Sequence, residues 1–324
     1  MSTNQEKGKT MVNTLMNRKK NATLQDALAK GQVFAPCAWD CLSAHMVEAE
    51  GFRAIMLTGA GIQGNYAGYP DIGMTTADDL VRATEYMCDY SNLPVVVDAD
   101  DGFGDSPLIT YRLAKRLVYA GAAAFTIEDS TGFRGYNRWG KQFETDGEIH
   151  HAVVSRQQWL AKIKAAVEAV KGSNCMVIAR TETKLTHGLD EAIARCNLAL
   201  ELGAHMTTIM GLHTLEEAKY VAERVPGHKM FPDVASRDGV PYCTLEQLAE
   251  LGFDYVTCHF LEKACVAGIH EFSKHVKADQ NTIWADSYKI GMDNPLDEKL
   301  FYQLTGEEDP WMILEKDLMD VKTE

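Results

Sequence analysis

Three acidic groups and one arginine carry the chemistry in this chain: Asp98, Asp100 and Asp101; Glu128 and Asp129; and Glu182 close to Arg180. Each group ends a short apolar run, such as Val95-Val96-Val97 before Asp98. Carboxylates gathered at neighbouring strand ends repel one another unless a cation sits among them. Hard oxygen donors of this kind suit Mg²⁺, with Mn²⁺ as its substitute. The competing reading makes each acid a solvated loop residue or a helix N-cap; acids at three successive strand ends favour the shared cation. These strand-end acids are therefore candidates for holding a metal, and Glu182 stands beside Arg180. A buried guanidinium directly after an apolar strand needs an anion, and a carboxylate held through two parallel hydrogen bonds is its natural partner. For Arg180 that anion is a substrate carboxylate or, alternatively, Glu182 or Glu128.

Two further stretches bear on the site. Gly59-Ala60-Gly61-Ile62-Gln63-Gly64 matches G-x-G-x-x-G after a strand, but a dinucleotide site needs a helix to begin at that loop. The chain instead continues through Asn65 to Gly73, rich in glycine and holding Pro70. It reads as a long loop over the site, whose backbone amides at Thr58, Gly59 and Ala60 could hold a substrate carboxylate. The second stretch runs from Asp129 to about Ala152 and includes Arg134, Tyr136, Trp139, His150 and His151. Loops this long inside a compact domain are usually functional, and a glycine-hinged polar and aromatic loop fits a lid. Tyr136, His150 and His151 are its candidates for proton transfer, although the histidine pair also reads as surface residues near the next helix.

These residues need a scaffold that brings strand ends together. Compact apolar runs at Val33–Ala38, Ala54–Thr58, Pro94–Asp98, Ala123–Glu128, Cys175–Arg180, Met206–Met210, Lys229–Val234 and Tyr255–His259 predict buried parallel strands. Helical patterns lie between them, at Cys41–Glu50, Thr76–Tyr90, Ser106–Ala120, Ser155–Val170, Leu189–Leu202, Thr214–Arg224 and Thr244–Leu251. Ser155 with Gln158 forms a capping box, and Gly51, Gly121, Gly203 and Gly252 stand as helix stops. Eight evenly spaced strands alternating with helices favour a closed (β/α)8 TIM barrel over an open sheet. The expected organisation is an N-terminal extension over 1–24, a catalytic barrel over 25–280 and a C-terminal helical segment over 281–324.

Composition narrows the function classes. The chain has 324 residues, 46% hydrophobic, which suffices for one large core. A net charge of −14 argues against binding a phosphate backbone, so no nucleic-acid partner is expected. No apolar run long enough to span a bilayer and no secretory h-region occur, so we expect a cytoplasmic protein without a membrane partner. The eight cysteines are scattered without a C-x-x-C and read as reduced thiols.

The motifs also resemble a known family. Val97-Asp98-Ala99-Asp100-Asp101-Gly102-Phe103-Gly104 is similar to the D-A-D-x-G-[FY]-G motif of the isocitrate lyase/phosphoenolpyruvate mutase superfamily. Ile127-Glu128-Asp129, Ala179-Arg180-Thr181-Glu182, Gly188-Leu189-Asp190-Glu191-Ala192, Gly68 to Gly73 with Thr75-Thr76, and Trp39-Asp40 with Leu42-Ser43-Ala44 match in the same order, over roughly residues 25–270. The resemblance implies a Mg²⁺-binding barrel that handles a pyruvate-like or oxaloacetate-like enolate. It implies that Asp71, Asp98, Asp100 and Glu128 surround metal and substrate and that Arg180 grips the substrate carboxylate. Thr58, Gly59 and Ala60 would then cradle that end, and Trp39 would wall the pocket. It also implies a homotetramer, a dimer of dimers that swap a C-terminal helix.

Two departures stand out. The lyase branch has K-[KR]-C-G-H after its E-D; here Ser130-Thr131-Gly132-Phe133-Arg134 follows, with no cysteine. The mutase branch has E-D-K, and residue 130 is serine. The expectation is a Mg²⁺-dependent lyase that cleaves a C–C bond of a small 2-hydroxy or 2-oxo carboxylate through a pyruvate-type enolate. The alternatives are a mutase-like P–C bond enzyme, an oxaloacetate-type decarboxylase or hydrolase, and a non-catalytic barrel.

Overall fold

The computed structural model describes residues 23–131, 153–234, 236–237, 240–288 and 310–321. Residues Ala22–Leu261 form one compact unit, and the remainder of the chain forms a second. The first unit therefore closes at Leu261, before the residue-280 boundary drawn from sequence.

Eight parallel strands build the first unit: β1 Val33–Ala38, β2 Ile55–Leu57, β3 Val95–Asp98, β4 Ala124–Glu128, β5 Met176–Thr181, β6 Met206–Ile209, β7 His228–Phe231 and β8 Phe253–Cys258. Each pairs with its neighbours in chain order and β8 pairs with β1, so the sheet closes. This is the (β/α)8 barrel that the sequence predicts, with strand bounds shifted by up to three residues. Helix α1 (Leu24–Leu28) precedes the barrel. The helices α2 (Cys41–Ala49), α3 (Ala77–Tyr90), α4 (Pro107–Ala120), α5 (Arg156–Val170), α6 (Leu189–Glu201), α7 (Leu215–Ala222) and α8 (Leu245–Glu250) follow successive strands. Side chains set their starts. Thr76 with Asp79, Ser155 with Gln158 and Thr244 with Gln247 form reciprocal capping boxes that satisfy orphan N–H groups. Gly121, at φ +96°, ends α4 in a left-handed turn that a side chain would strain.

Strand side chains alternate between the outer helices and the barrel interior. The inward set toward the N-terminal ends is apolar: Ala35, Met56, Val96, Ala124, Ile178, Met206, Met230 and Tyr255 pack in one cluster with Leu24, Ala27 and Leu28 of α1. Helix α1 thus plugs the bottom of the barrel. Arg53 fastens it there by donating to the carbonyls of Ala27 at 3.1 Å and Gly31 at 3.2 Å. Two residues farther along the same inward faces, the character changes. Asp98 follows Val96, Thr126 and Glu128 follow Ala124, Arg180 follows Ile178, Thr208 follows Met206, and Thr257 follows Tyr255. The barrel is sealed with hydrocarbon at one end and polar at the other.

One buried network fixes the polar end. Asp129, wholly buried, accepts from the hydroxyls of Thr181 (2.5 Å) and Thr183 (2.8 Å) and from the Glu182 N–H (2.8 Å). It also pairs with Arg195 of α6 at 3.1 Å. Arg195 bonds Glu191 at 3.0 Å, and Arg156 at the start of α5 bonds the same carboxylate. Asp129 therefore joins the exits of β4 and β5 to α6. This corrects its place in the sequence reading, which grouped it with the rim acids.

In the second unit, His275 of the helix Leu261–Asp279 stacks on Trp284 at 3.8 Å between ring centroids, and Phe272 packs edge-on to Trp284 and Tyr288. The C-terminal helix covers Pro310–Met319. No helix among the described residues is long and apolar enough to cross a membrane.

Two stability predictions follow from the Asp129 network. Arg195→Met leaves a buried carboxylate without its cation, and chemical denaturation should show a loss of about 3–5 kcal/mol. Glu191 is held down at about 2, first by its bond to Arg156 and then, against some burial, by Arg195. A carboxyl lowered from 4.5 in the folded state contributes stability above pH 4.5 and loses it as pH falls through about 2. Urea titrations over that window should show a smaller decline for Glu191→Gln than for the unsubstituted protein.

Candidate active site

The site lies where β3, β4 and β5 end. One oxygen from each of Asp98, Asp100 and Glu128 falls within 4.8 Å of the others, and this is the carboxylate group with metal-binding geometry among the described residues. The three ligands expected from sequence are thus brought together. β4 holds Glu128, whose N–H donates to the Asp100 carbonyl at 2.9 Å. Asp100 itself adopts φ +48°, a left-handed conformation that aspartate tolerates better than most residues. Its side chain is buried.

Arg180 sits among these acids. Its guanidinium contacts Asp98 at 3.0 Å, Glu128 at 3.1 Å and Glu182 at 2.6 Å. Burial works against its charge, but Glu128, then Asp98, then Glu182 outweigh it and hold the group well above its ordinary range. Arg180 is a permanent cation here. Both anions offered by the sequence reading, Glu182 and Glu128, are taken up, with Asp98 as a third. Burial raises Glu182 despite Arg180, and the neighbouring Glu128 and Asp129 push it further. A single oxygen of Glu182, Oε1, accepts from both Nε (2.9 Å) and Nη2 (2.6 Å) of Arg180, which holds that edge of the guanidinium in place. Thr126 donates to Asp98 at 3.0 Å, and Ser130 donates to Glu128.

The glycine-rich segment closes over these acids, and its local structure corrects the sequence reading. Thr58 caps a short helical turn over Gly59–Gly61, which runs on as a π-turn over Ile62–Tyr66. What reads as a loop is helical in its first half. Two side chains explain the shift. A Cβ at Gly61 would lie 2.9 Å from Cβ of the buried Trp39, so only glycine lets the turn settle against that ring. A Cβ at Gly59 would lie 3.4 Å from Asp100 Oδ1 and 3.6 Å from Asp98 Oδ2, which places the Gly59 backbone directly over the acids. Thr58, Gly59, Ala60 and Trp39 therefore stand together at this edge of the site. Asp71 is held apart from the three converging oxygens. Buried Gln63 donates to it at 3.1 Å while accepting the N–H groups of Ile72, Gly73 and Met74 at 2.9–3.2 Å.

A cavity of about 320 Å³ opens beside the acids, bounded by Gly73, Asp100, Phe103, Glu128 and Thr131 among others. That volume suits a small polar molecule. Ser130 and Val153 form an antiparallel bridge at the base of the long segment after Glu128. Tyr136, His150 and His151 lie outside the described residues.

Two positioning side chains escape sequence reasoning. Gln63 is one. The other is Lys162 of α5, almost wholly buried, whose Nζ donates to the Asp101 carbonyl at 2.9 Å and meets its carboxylate at 3.3 Å. Asp101, whose Oδ1 also accepts the Phe103 N–H at 2.9 Å, thus braces the turn behind Asp100. A lysine on the apolar face of an amphipathic helix was the available signal.

The donor set fits a divalent cation. Three hard oxygens converge, and three carboxyl groups contact the one guanidinium with Asp100 beside them, a set of acids that one arginine does not balance. Residues 24–277 match the family described as phosphoenolpyruvate phosphomutase. The chain belongs to this family. It is 34% identical to the petal death protein of Dianthus caryophyllus over 228 residues, 70% of this chain and 68% of that protein. It is 30% identical to a 2-methylisocitrate lyase of Aeropyrum pernix over 86% of this chain and 84% of that protein. Among solved structures, 2,3-dimethylmalate lyase, a PEP mutase/isocitrate lyase superfamily member, superimposes with a TM-score of 0.75 at 27% identity, covering 91% of this chain and 97% of that one. These relatives agree with the resemblance read from the motifs, and the superfamily is one of lyases and mutases.

Lys162→Met should weaken binding of Mn²⁺, a probe for the acidic cluster, by about 10- to 100-fold, the usual effect of removing an outer-shell support. Calorimetric titration of the purified variant measures it.

Proposed function

We propose that this protein is a Mg²⁺-dependent carbon–carbon lyase that cleaves a small 2-hydroxy or 2-oxo carboxylate through a pyruvate-type enolate. The observation that carries this reading is the meeting of Asp98, Asp100 and Glu128 oxygens within 4.8 Å, with Arg180 at their edge. The relatives named as 2-methylisocitrate and 2,3-dimethylmalate lyases support it. The superfamily's mutases supply the alternative, P–C bond chemistry.

Asp98, Asp100 and Glu128 would hold the metal, some through water. When bound, it would supply Lewis-acid stabilisation of the oxygens of an enolate. Arg180 would take the substrate carboxylate, exchanging part of its contact with Asp98 or Glu128 for the incoming anion. Glu182 holds its edge of the guanidinium in place during that exchange. The backbone at Thr58, Gly59 and Ala60 would cradle the same end of the substrate, and Trp39 would back it, with Asp71 held nearby by Gln63. Preorganised charge of this kind is usually the largest catalytic contribution, because it requires no reorientation as the enolate forms. A base takes the hydroxyl proton, the adjacent C–C bond breaks as the hydroxyl carbon becomes a carbonyl, and the electron pair of that bond stays on the other fragment as its enolate, which is then protonated at carbon. Tyr136, His150 and His151 are the groups proposed for these two proton transfers.

The same proposal includes a cytoplasmic setting, where the eight unbridged thiols stay reduced. It also includes a homotetramer, a dimer of dimers that swap a C-terminal helix from the segment over 281–324.

Asp100→Asn keeps the left-handed turn, which asparagine accepts, and removes one converging charge. It should abolish both turnover and Mg²⁺ binding while the circular dichroism spectrum is kept. For the reaction itself, the protein should release pyruvate from members of a panel of 2-hydroxy acids. Release of CO₂ from oxaloacetate without pyruvate from the panel would replace the lyase reading with a decarboxylase.

A further inference from the structure

Among the described residues, the polar layer at the top of the barrel contains one hydroxyl without a hydrogen-bond partner. Thr208 is 2% exposed, and its Oγ1 has no hydrogen-bond partner among the described residues. Its direction follows from the strand. Met206, two residues before it, packs in the interior cluster, while Ile209 packs with the outer helices. Thr208 therefore points inward. It pairs in register with Arg180 on β5, and Arg180 pairs in register with Glu128 on β4. Glu128, Arg180 and Thr208 thus occupy one row around the barrel wall, with Thr208 on the side of Arg180 away from the acids.

The other inward polar groups of this layer are engaged. Thr126 donates to Asp98, Thr257 donates to the Pro232 carbonyl, and Glu128 and Asp98 meet Arg180. A buried hydroxyl without a partner costs about 1–3 kcal/mol, and valine has the same shape and a stronger β preference. Packing alone would therefore favour valine at 208. A threonine whose hydroxyl gains nothing from the described residues at this position is placed to gain it from something that enters the barrel mouth.

We propose that Thr208 is a substrate-contacting residue, whose hydroxyl donates to an oxygen of the small carboxylate received by Arg180. The inference rests on the proposed enolate chemistry and extends it to β6, a strand that contributes no acid to the site. It makes the carboxylate pocket two-sided, with the guanidinium on one side and a neutral donor on the other. A site built this way prefers a ligand with an oxygen at that point over one with a methyl group, because the latter leaves the hydroxyl unpaired.

The experiment uses the full-length protein and oxalate, a mimic of the pyruvate enolate, titrated calorimetrically in the presence of Mg²⁺. Thr208→Val should bind oxalate about tenfold more weakly than the unsubstituted protein, equivalent to about 1.4 kcal/mol. Its thermal midpoint should be unchanged or higher, since a methyl group replaces an unsatisfied hydroxyl. Thr208→Ser should restore affinity, and Thr208→Ala serves the same comparison should valine not pack. Equal oxalate affinity in the unsubstituted and valine proteins would overturn the inference. That result would assign the hydroxyl to an ordered internal water. No oxalate binding by the unsubstituted protein would overturn the enolate reading and this inference with it.

Discussion

Asp98, Glu128 and Glu182 all lie within 3.1 Å of Arg180, and Asp100 adds a fourth carboxyl beside them. One guanidinium does not neutralise so many acids in a buried setting. Such a cluster is favoured where the charges share a cation and the surrounding hydrogen bonds prevent the side chains from swinging apart. The supports match that need. Thr126, Ser130, the Glu128 N–H and the Lys162–Asp101 contact each fix one element of the cluster. A barrel stave provides what a flexible loop does not, since each backbone is held on both sides by parallel neighbours.

The barrel also decides from which side a ligand arrives. Helix α1 closes the N-terminal end with Leu24 and Leu28 against the apolar interior. The inward side chains turn polar over the last two residues of β3, β4, β5, β6 and β8. A charged ligand therefore finds partners at one end alone. This gradient follows from solvation. Interior positions far from the mouth lack water and hold methionine, valine and alanine, while those near it tolerate charge because charges there can be paired or reached by solvent.

Much of this was legible in the chain. Parallel strands buried on both faces appear as continuous apolar runs, which is why all eight were visible and only their bounds moved. Capping boxes at Thr76, Ser155 and Thr244 announce helix starts through purely local bonds. Acids at adjacent strand ends need a common explanation, and the motif resemblance singled out Asp98, Asp100 and Glu128 among them. Asp129 and Asp101 looked the same in sequence, yet the fold gives them to Arg195 and Lys162. Adjacent residues on a strand face opposite ways, and which neighbour waits behind the outward one depends on helix packing.

The amino-acid sequence by itself determined the family, the barrel and the three converging acids, because periodicity, caps and motif order are local properties of the chain. Tertiary structure alone decided the rest. It wound Gly59–Tyr66 into helical turns against Trp39, set Gln63 to gather the segment through Met74, and left the Thr208 hydroxyl inward beside Arg180 without a partner among the described residues. Each of those outcomes depends on contacts between residues far apart in the chain or on the exclusion of water, and neither is written in local spacing.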